Sequence, residues 1–502
     1  MLFFQDGLRR FFVNKNKEMK TRNIHPIWLL LTGVALIAGT HMRFNIGILA
    51  WVSSVPFLLY LDRTSGFKSR FFFGLALFLA WSLCVLKITT DPLPVAMIPM
   101  FSIPLALIQM PGYLIWAKFR KKKWSALLFP AVMVVLEWIQ YTLTPLGSWG
   151  AAAYTQADNI VILQLVSIFG LAGLGFIIYY VNSVLAELII SSNGFVKRII
   201  PVSIVVAGIL IFGSLRLDIY KSAGRDQIKV AAVGTDSEVN GLPLPSAEIR
   251  KSNQDALIER TEKAADADAQ LVVWNEAATA ILPEEEAEWN RSLSSLAKEH
   301  RITLVAAYVV PVSESPFRFE NKYKMFLPDG SLGYTYNKHE PVPGEPSVKG
   351  TEAIETVSMD GIELGGVICY DYDFPYIAKA FGQSDADIVA LPSSDWRGID
   401  PIHTKMAALR AIEQGHSVLR STRFGLSAAI TPIGEFNAQM SSFNSNDRIM
   451  MAHLPVNKIF TVYSLIGDLF VYMCMAFIFI YMMLGTNLIK WRRKNFKTLP
   501  SK

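Results

Sequence analysis

Long apolar runs and one long polar stretch divide the chain. Segments apolar and long enough to span a bilayer recur near 24–40, 44–61, 70–88, 92–117, 124–141, 160–190 and 198–215, and an eighth lies near 463–489. Several are interrupted by Pro or Gly, as between Ile98 and Pro111. Residues 217–460 follow another rhythm. Ile228 to Val233, Leu271 to Trp274 and Ile302 to Val310 read as strands, and the charged stretches 246–269 and 284–299 read as helices. The turns Asp329-Gly330 and Asp360-Gly361 punctuate hairpin-like pairs. After the apolar run Leu364 to Ile368 come a short helix, the run Asp387 to Leu391, a helix from Pro401 to Gly415, and strands around Ser417 to Thr422 and Leu426 to Ile430. The pattern predicts a membrane α-helical bundle of about eight transmembrane helices plus an α/β sandwich domain with mixed strand pairing.

Composition agrees. The 502 residues are 52% hydrophobic with a mean hydropathy of +0.32, too apolar for a soluble chain of this length. The net charge of +6 points to membrane topology and not to nucleic acid, because Lys and Arg cluster at the edges of apolar segments. Alternate loops carry Arg63, Lys68 and Arg70, then Lys118 and Arg120 to Lys123, then Lys197 and Arg198, whereas 142–159 carries none. By the positive-inside rule, this predicts a cytoplasmic segment 1–23, a seven-span bundle 24–216, an extracytoplasmic polar domain 217–460, a last span 461–489 and a cytoplasmic basic tail 490–502. The basic start reads as an anchor and not as a removed signal peptide. Of the three cysteines, Cys84 and Cys474 fall in apolar segments, so the polar domain owns only Cys369 and has no disulfide framework.

Three polar groups sit just past apolar runs: Glu276 after Leu271 to Trp274, Lys338 after Tyr334 to Asn337, and Cys369 after Val367-Ile368. If the ends of one sheet's strands converge, a single pocket holds all three. Their chemistry is that of acyl transfer. The Cys369 thiolate attacks a carbonyl, its ionised form favoured by a nearby ammonium and a helix start near Pro375. Glu276 takes the thiol proton, and Lys338 with a backbone N–H near Tyr370 stabilises the oxyanion. Glu345 is a second carboxylate able to orient Lys338, or a turn residue; His339 offers a lesser Cys–His alternative. The loop Pro145 to Gly150, with Trp149, is either an interfacial aromatic anchor or the wall of a lipid-entry site. The domain has no His/Cys cluster at metal-ligand spacing, and no metal or organic cofactor is expected.

The order Glu276, Lys338, Cys369, in the contexts Val-Val-Trp-Asn-Glu, Tyr-Asn-Lys-His and Val-Ile-Cys-Tyr-Asp, resembles the Glu-Lys-Cys triad of the nitrilase, or carbon-nitrogen hydrolase, superfamily. Behind seven spans and before an eighth, such a domain is similar to the apolipoprotein N-acyltransferase family. Gly147 to Gln156, Ala408 to Glu413, Leu419 to Thr422, and Thr461, Tyr463, Gly467 and Asp468 extend the likeness. The resemblance implies a nitrilase-like αββα sandwich and a ping-pong reaction in a bacterial inner membrane, the catalytic domain periplasmic. Cys369 would be acylated by a phospholipid, typically phosphatidylethanolamine, and would pass the chain to the α-amine of a diacylglyceryl-modified apolipoprotein acceptor.

The chain departs from that family at Asn275, at Asp371, in a shortened polar loop after Lys338, and at Ser394-Asp395-Trp396-Arg397-Gly398, where Arg397 stands for the family's common Phe. Trp149, Trp396 and Arg397 are therefore the substrate-entry candidates. The alternative readings are a membrane-bound nitrilase-type amidase or N-acyltransferase acting on a different amine or amide, and a transporter or structural membrane protein without catalysis. The latter would place paired ionisable residues inside its spans, where the chain shows mainly Glu137, Glu187 and Lys87.

Overall fold

A computed structural model describes residues 24–496 apart from 43, 91–92, 192–194 and 238–243. The basic start and the end of the basic tail, on which part of the orientation reading rests, lie outside the described residues. Among the described residues five helices are long and apolar enough to cross a membrane: Phe67–Val85, Val95–Phe119, Ser125–Leu143, Val166–Ile190 and Phe195–Ser222. Pro26–Thr40 and Leu469–Leu484 are shorter apolar helices. The run near 44–61 differs from its expected single span. It is a 3-10 turn, Gly47–Trp51, followed by a nine-residue helix, Val55–Arg63, that starts with a proline in its first turn. The stretch 160–190 also breaks, because Gly170 adopts φ 62 and ψ −164 within Val166–Ile190. A Cβ there would lie 2.5 Å from the Tyr463 ring, so glycine is required both by the backbone and by the packing.

Among the described residues the polar domain holds twelve strands: β1 Gln227–Val233, β2 Leu271–Trp274, β3 Thr303–Glu314, β4 Phe317–Phe326, β5 Leu332–Asn337, β6 Val357–Met359, β7 Ile362–Gly366, β8 Ile388–Ser394, β9 Ser417–Arg423, β10 Leu426–Ile430, β11 Phe436–Ser441 and β12 Ile449–Pro455. They form two six-stranded sheets, β12-β1-β2-β3-β4-β5 and β11-β10-β9-β8-β7-β6. The centres β1-β2-β3 and β7-β8-β9 are parallel, and the edges antiparallel. Period-two alternation builds the layers. Val230, Ala232, Leu271 and Val273 pack toward the second sheet, while Ala231, Val233, Val272 and Trp274 pack on Leu257 and Leu293 of the outer helices Ala247–Asp266 and Glu286–His300. The helices Pro375–Gln383 and Ile402–Gln414 cover the second sheet, giving the αββα sandwich of the nitrilase-like fold.

Helix Ile402–Gln414 is buried on nearly every side, which its composition explains. Ala407, Ala408 and Ala411 let it approach the sheet, while Met406, Leu409 and Ile412 join the core of the membrane bundle. Its polar residues bind across the same junction. Arg410 donates to the Ser148 and Tyr154 hydroxyls, each at 2.9 Å, and pairs with Glu413 at 2.5 Å. Glu413 in turn accepts the Leu171 N–H at 2.7 Å, a donor released by the break at Gly170. Bundle and sandwich therefore share one packed junction.

Candidate active site

The three strand-end residues do not belong to one sheet. Glu276 follows β2 and Lys338 follows β5 of the first sheet, whereas Cys369 follows β7 of the second. Expected convergence within a single sheet is replaced by convergence between two facing sheets. The join is made by β8: its Ser393 carbonyl accepts the Glu276 N–H at 3.2 Å, and its Ser394 carbonyl accepts the Cys369 thiol at 3.4 Å. Gly366 lets the sheets approach, since a Cβ at that position would sit 2.6 Å from the Tyr323 hydroxyl, which instead donates to the Gly366 carbonyl at 2.9 Å.

The site's charges are buried and paired. Lys338 Nζ lies 2.8 Å from Glu276 Oε1 and 2.7 Å from Glu345 Oε2. Asn321, in mid-β4, donates to Glu276 Oε1 at 2.8 Å and to Glu345 Oε1 at 3.0 Å. Glu345 Oε2 also accepts the Val342 N–H at 3.0 Å, so the shortened loop closes on its own carboxylate. Burial opposes the Lys338 charge, but Glu276 and Glu345 outweigh it and hold the ammonium well above its ordinary pKa. Burial likewise opposes ionisation of Glu345, and Lys338 overcomes it and lowers the carboxyl.

Cys369 opens a 3-10 turn, Cys369–Asp373, with φ 47 in the left-handed region, a strained setting for a side chain with a Cβ. Burial and then Glu276 push its thiol well above the usual value, with Lys338 opposing. The ammonium does favour the ionised form, but desolvation exceeds what it supplies, so a base such as Glu276 is needed to take the proton. Asp371 fixes the turn: its carboxylate accepts the Tyr336 hydroxyl at 2.9 Å and the Glu340 N–H at 2.6 Å, and burial raises it to about 6 against Lys338. His339 stands apart from the thiol chemistry, its ring nitrogens at the Asn337 and Glu352 carbonyls, 2.9 Å each, and its ring stacked on Tyr336.

A second polar cluster adjoins the cysteine. His403 Nδ1 lies 2.7 Å and Nε2 3.2 Å from the carboxylates of Asp395 and Asp373, and Arg420 binds Asp395 at 2.7 Å. Burial lowers the His403 pKa, but the two aspartates overcome that and raise it to about 9. Cys369, Asp395 and His403 each bring one metal-ligand atom within 4.8 Å of the others, a grouping that the spacing along the chain does not reveal. The two aspartates take both His403 ring nitrogens, and Asp395 Oδ1 is shared by His403 and Arg420.

A cavity of about 850 Å³ joins this chemistry to the bundle. Glu276, Lys338, Glu345 and Cys369 line its polar end, and Val85, Leu93, Met97, Phe101 and Leu105 its apolar end. Trp149, Tyr370, Trp396 and Arg397 line it as well. Trp149 Nε1 donates to Asp373 at 2.7 Å, the Tyr370 hydroxyl to the Pro145 carbonyl at 2.5 Å, and Trp396 Nε1 to the Ile88 carbonyl at 2.8 Å. The aromatic residues thus seal the seam between the bundle and the sandwich.

Comparison with known proteins covers both parts. Residues 32–184 match the apolipoprotein N-acyltransferase N-terminal domain, and residues 229–461 match the carbon-nitrogen hydrolase family. The chain is 23% identical over 493 residues to an apolipoprotein N-acyltransferase of Geobacter metallireducens, covering 89% of this chain and 92% of that one. It is 23% identical over 523 residues to apolipoprotein N-acyltransferase 1 of Treponema denticola, covering 89% and 93%. A carbon-nitrogen hydrolase from Helicobacter pylori aligns with 46% of this chain and 89% of its own, at 18% identity and a TM-score of 0.39. With an N-terminal and a hydrolase domain matched in this order and relatives aligned along nearly their whole length, the chain belongs to the apolipoprotein N-acyltransferase family.

Proposed function

We propose that the protein transfers an acyl chain from a membrane phospholipid to the N-terminal amine of an S-diacylglyceryl-cysteine lipoprotein, through a thioester on Cys369. The cavity that runs from Cys369 and Lys338 to apolar bundle helices carries this reading, because an amidase of small soluble substrates has no use for an acyl-sized apolar channel. Phosphatidylethanolamine is the first donor to consider.

In the first half-reaction Glu276 removes the Cys369 proton as sulfur attacks the ester carbonyl, since the buried thiol does not ionise unaided. Lys338, held cationic by Glu276 and Glu345, stabilises the oxyanion, assisted by a backbone N–H near Tyr370. The carbon–oxygen bond then breaks, and the proton on Glu276 passes to the departing oxygen, releasing a lysophospholipid. In the second half-reaction the lipoprotein amine attacks the thioester, its proton returning through Glu276 to the cysteine sulfur. The domain faces the periplasm of a bacterial inner membrane in this reading, supported by the Lys and Arg asymmetry of the loops.

The test is conversion of a diacylated lipopeptide to its triacylated form by the purified full-length protein with phosphatidylethanolamine carrying isotope-labelled acyl chains. Labelled chain on the lipopeptide amine supports the reading; label released only as free fatty acid makes the protein a lipid hydrolase instead.

A further inference from the structure

One buried carboxylate beside Cys369 keeps an oxygen that no described residue uses. Asp395, just past β8, is 4% exposed. Its Oδ1 lies 2.7 Å from both His403 Nδ1 and the Arg420 guanidinium, whereas its Oδ2 has no hydrogen-bond partner among the described residues. Burial raises the carboxyl, but Arg420 and then His403 overcome that and lower it, so it stands ionised. Glycine at 425 leaves room beside the bare oxygen, since a Cβ there would lie 2.6 Å from it. Asp395 lines the cavity, and one of its oxygens comes within 4.8 Å of the Cys369 sulfur. A buried charged oxygen left without a donor is costly. Its place in a substrate cavity points to a ligand that brings an N–H donor and a positive charge.

We propose that Asp395 binds the α-ammonium of the acceptor lipoprotein and sets it against the thioester, a role that rests on the reading that Cys369 carries the acyl chain. The attacking nitrogen has to come within about 3 Å of the thioester carbon. That carbon is bonded to the Cys369 sulfur, so a carboxylate oxygen within 4.8 Å of the sulfur is in hydrogen-bond reach of the nitrogen. The donor phospholipid brings only ester oxygens to the same point and has no use for an acceptor there. Glu276 and Glu345 are meanwhile tied to Lys338. From Asp395 the ammonium gives one proton to solvent, and the free amine attacks the carbonyl carbon. Its second proton passes through Glu276 to the sulfur as the carbon–sulfur bond breaks. Asp395 stays a carboxylate throughout and accepts an N–H from the nitrogen before and after the first proton leaves.

The experiment is a partition. Full-length protein acylated by phospholipid in neutral-detergent micelles receives a diacylated lipopeptide and hydroxylamine together. Hydroxylamine is small and uncharged at neutral pH, so it discharges the thioester without calling on a carboxylate. Mass spectrometry gives the ratio of triacylated lipopeptide to acyl hydroxamate, after subtraction of the hydroxamate formed with C369A. In D395N the oxygen facing Arg420 and His403 remains, and an amide NH2 replaces the bare oxygen. The ratio should fall about tenfold or more, the worth of a hydrogen bond to a charged group. A smaller folded fraction or a slower acylation lowers both products alike and leaves the ratio readable. Should D395N not fold, G425A decides by the same ratio, its added methyl placed against Oδ2. An unchanged ratio would overturn the ammonium site while leaving the thioester route standing. Discharge of neither kind from the unmodified protein, with no acyl group on Cys369, would overturn both.

Discussion

Trp149 Nε1 donates to the Asp373 carboxylate at 2.7 Å, which ties the loop after a membrane helix to the turn that carries Cys369. Asp373 shares that carboxylate with His403 and returns its backbone carbonyl to the Ser148 N–H at 3.1 Å. The turn that opens with Cys369 is therefore positioned from the bundle as well as from the sheet. Trp149→Phe keeps the ring and removes the donor. It should lower the rate of Cys369 acylation about tenfold, the worth of one charge-assisted hydrogen bond, with the unfolding temperature little changed. An unaltered acylation rate would reduce Trp149 to an interfacial anchor.

Lys338 links two carboxylates, and removing either leaves a different deficit. Glu276→Gln deletes the proposed base and should cost about 10³-fold or more in acylation. Glu345→Gln keeps the base but weakens the hold on the ammonium and on the Val342 N–H, and should cost roughly 10²-fold. Single-turnover acylation kinetics separate the two. Full activity of Glu345→Gln would make that residue a simple loop brace.

The His403 cluster makes stability depend on pH. Its folded pKa of about 9 lies above the ordinary 6.5, so folding favours the protonated ring. That contribution is complete below about pH 6.5 and is lost as pH rises through about 9. Its size is roughly 3 kcal/mol from the shift. Unfolding temperatures of the detergent-solubilised protein should fall from pH 6.5 to 9.5, and His403→Gln should be less stable at pH 6.5 but show a flatter profile. Parallel profiles for the two proteins would contradict the assignment.

Arg410 and Glu413 are almost fully buried where helix Ile402–Gln414 meets the bundle. Arg410→Ala strands the Glu413 charge and two hydroxyls, and should cost about 3–5 kcal/mol. Arg410→Met with Glu413→Gln removes both charges and should recover part of that loss. Thermal unfolding of the single and double variants decides it, and equal losses would show that the pair is not coupled.

Much of this architecture was legible because each part has a local signal. The alternating runs from Ile228 to Val310 place strands and helices, and Glu276, Lys338 and Cys369 each end an apolar run. Tertiary effects hid the rest. Apolar length alone does not separate a span from the 3-10 turn and short helix at 47–63. Strand ends do not announce which sheet they join, so Cys369 was expected beside Glu276 in one sheet and instead faces it from another. Asn321 bridges two carboxylates from the middle of β4 with no mark in its neighbourhood. How far burial holds the Cys369 proton is not written in a strand's last residue.

The most direct measurement is the intact mass of the full-length protein after incubation with a phospholipid, followed by peptide mapping and addition of a diacylated lipopeptide. The account predicts a gain of one acyl group, located on Cys369, absent in Cys369→Ala, and discharged onto the lipopeptide amine. An unmodified Cys369 while the lipopeptide still becomes acylated would contradict the thioester route and with it the central claim.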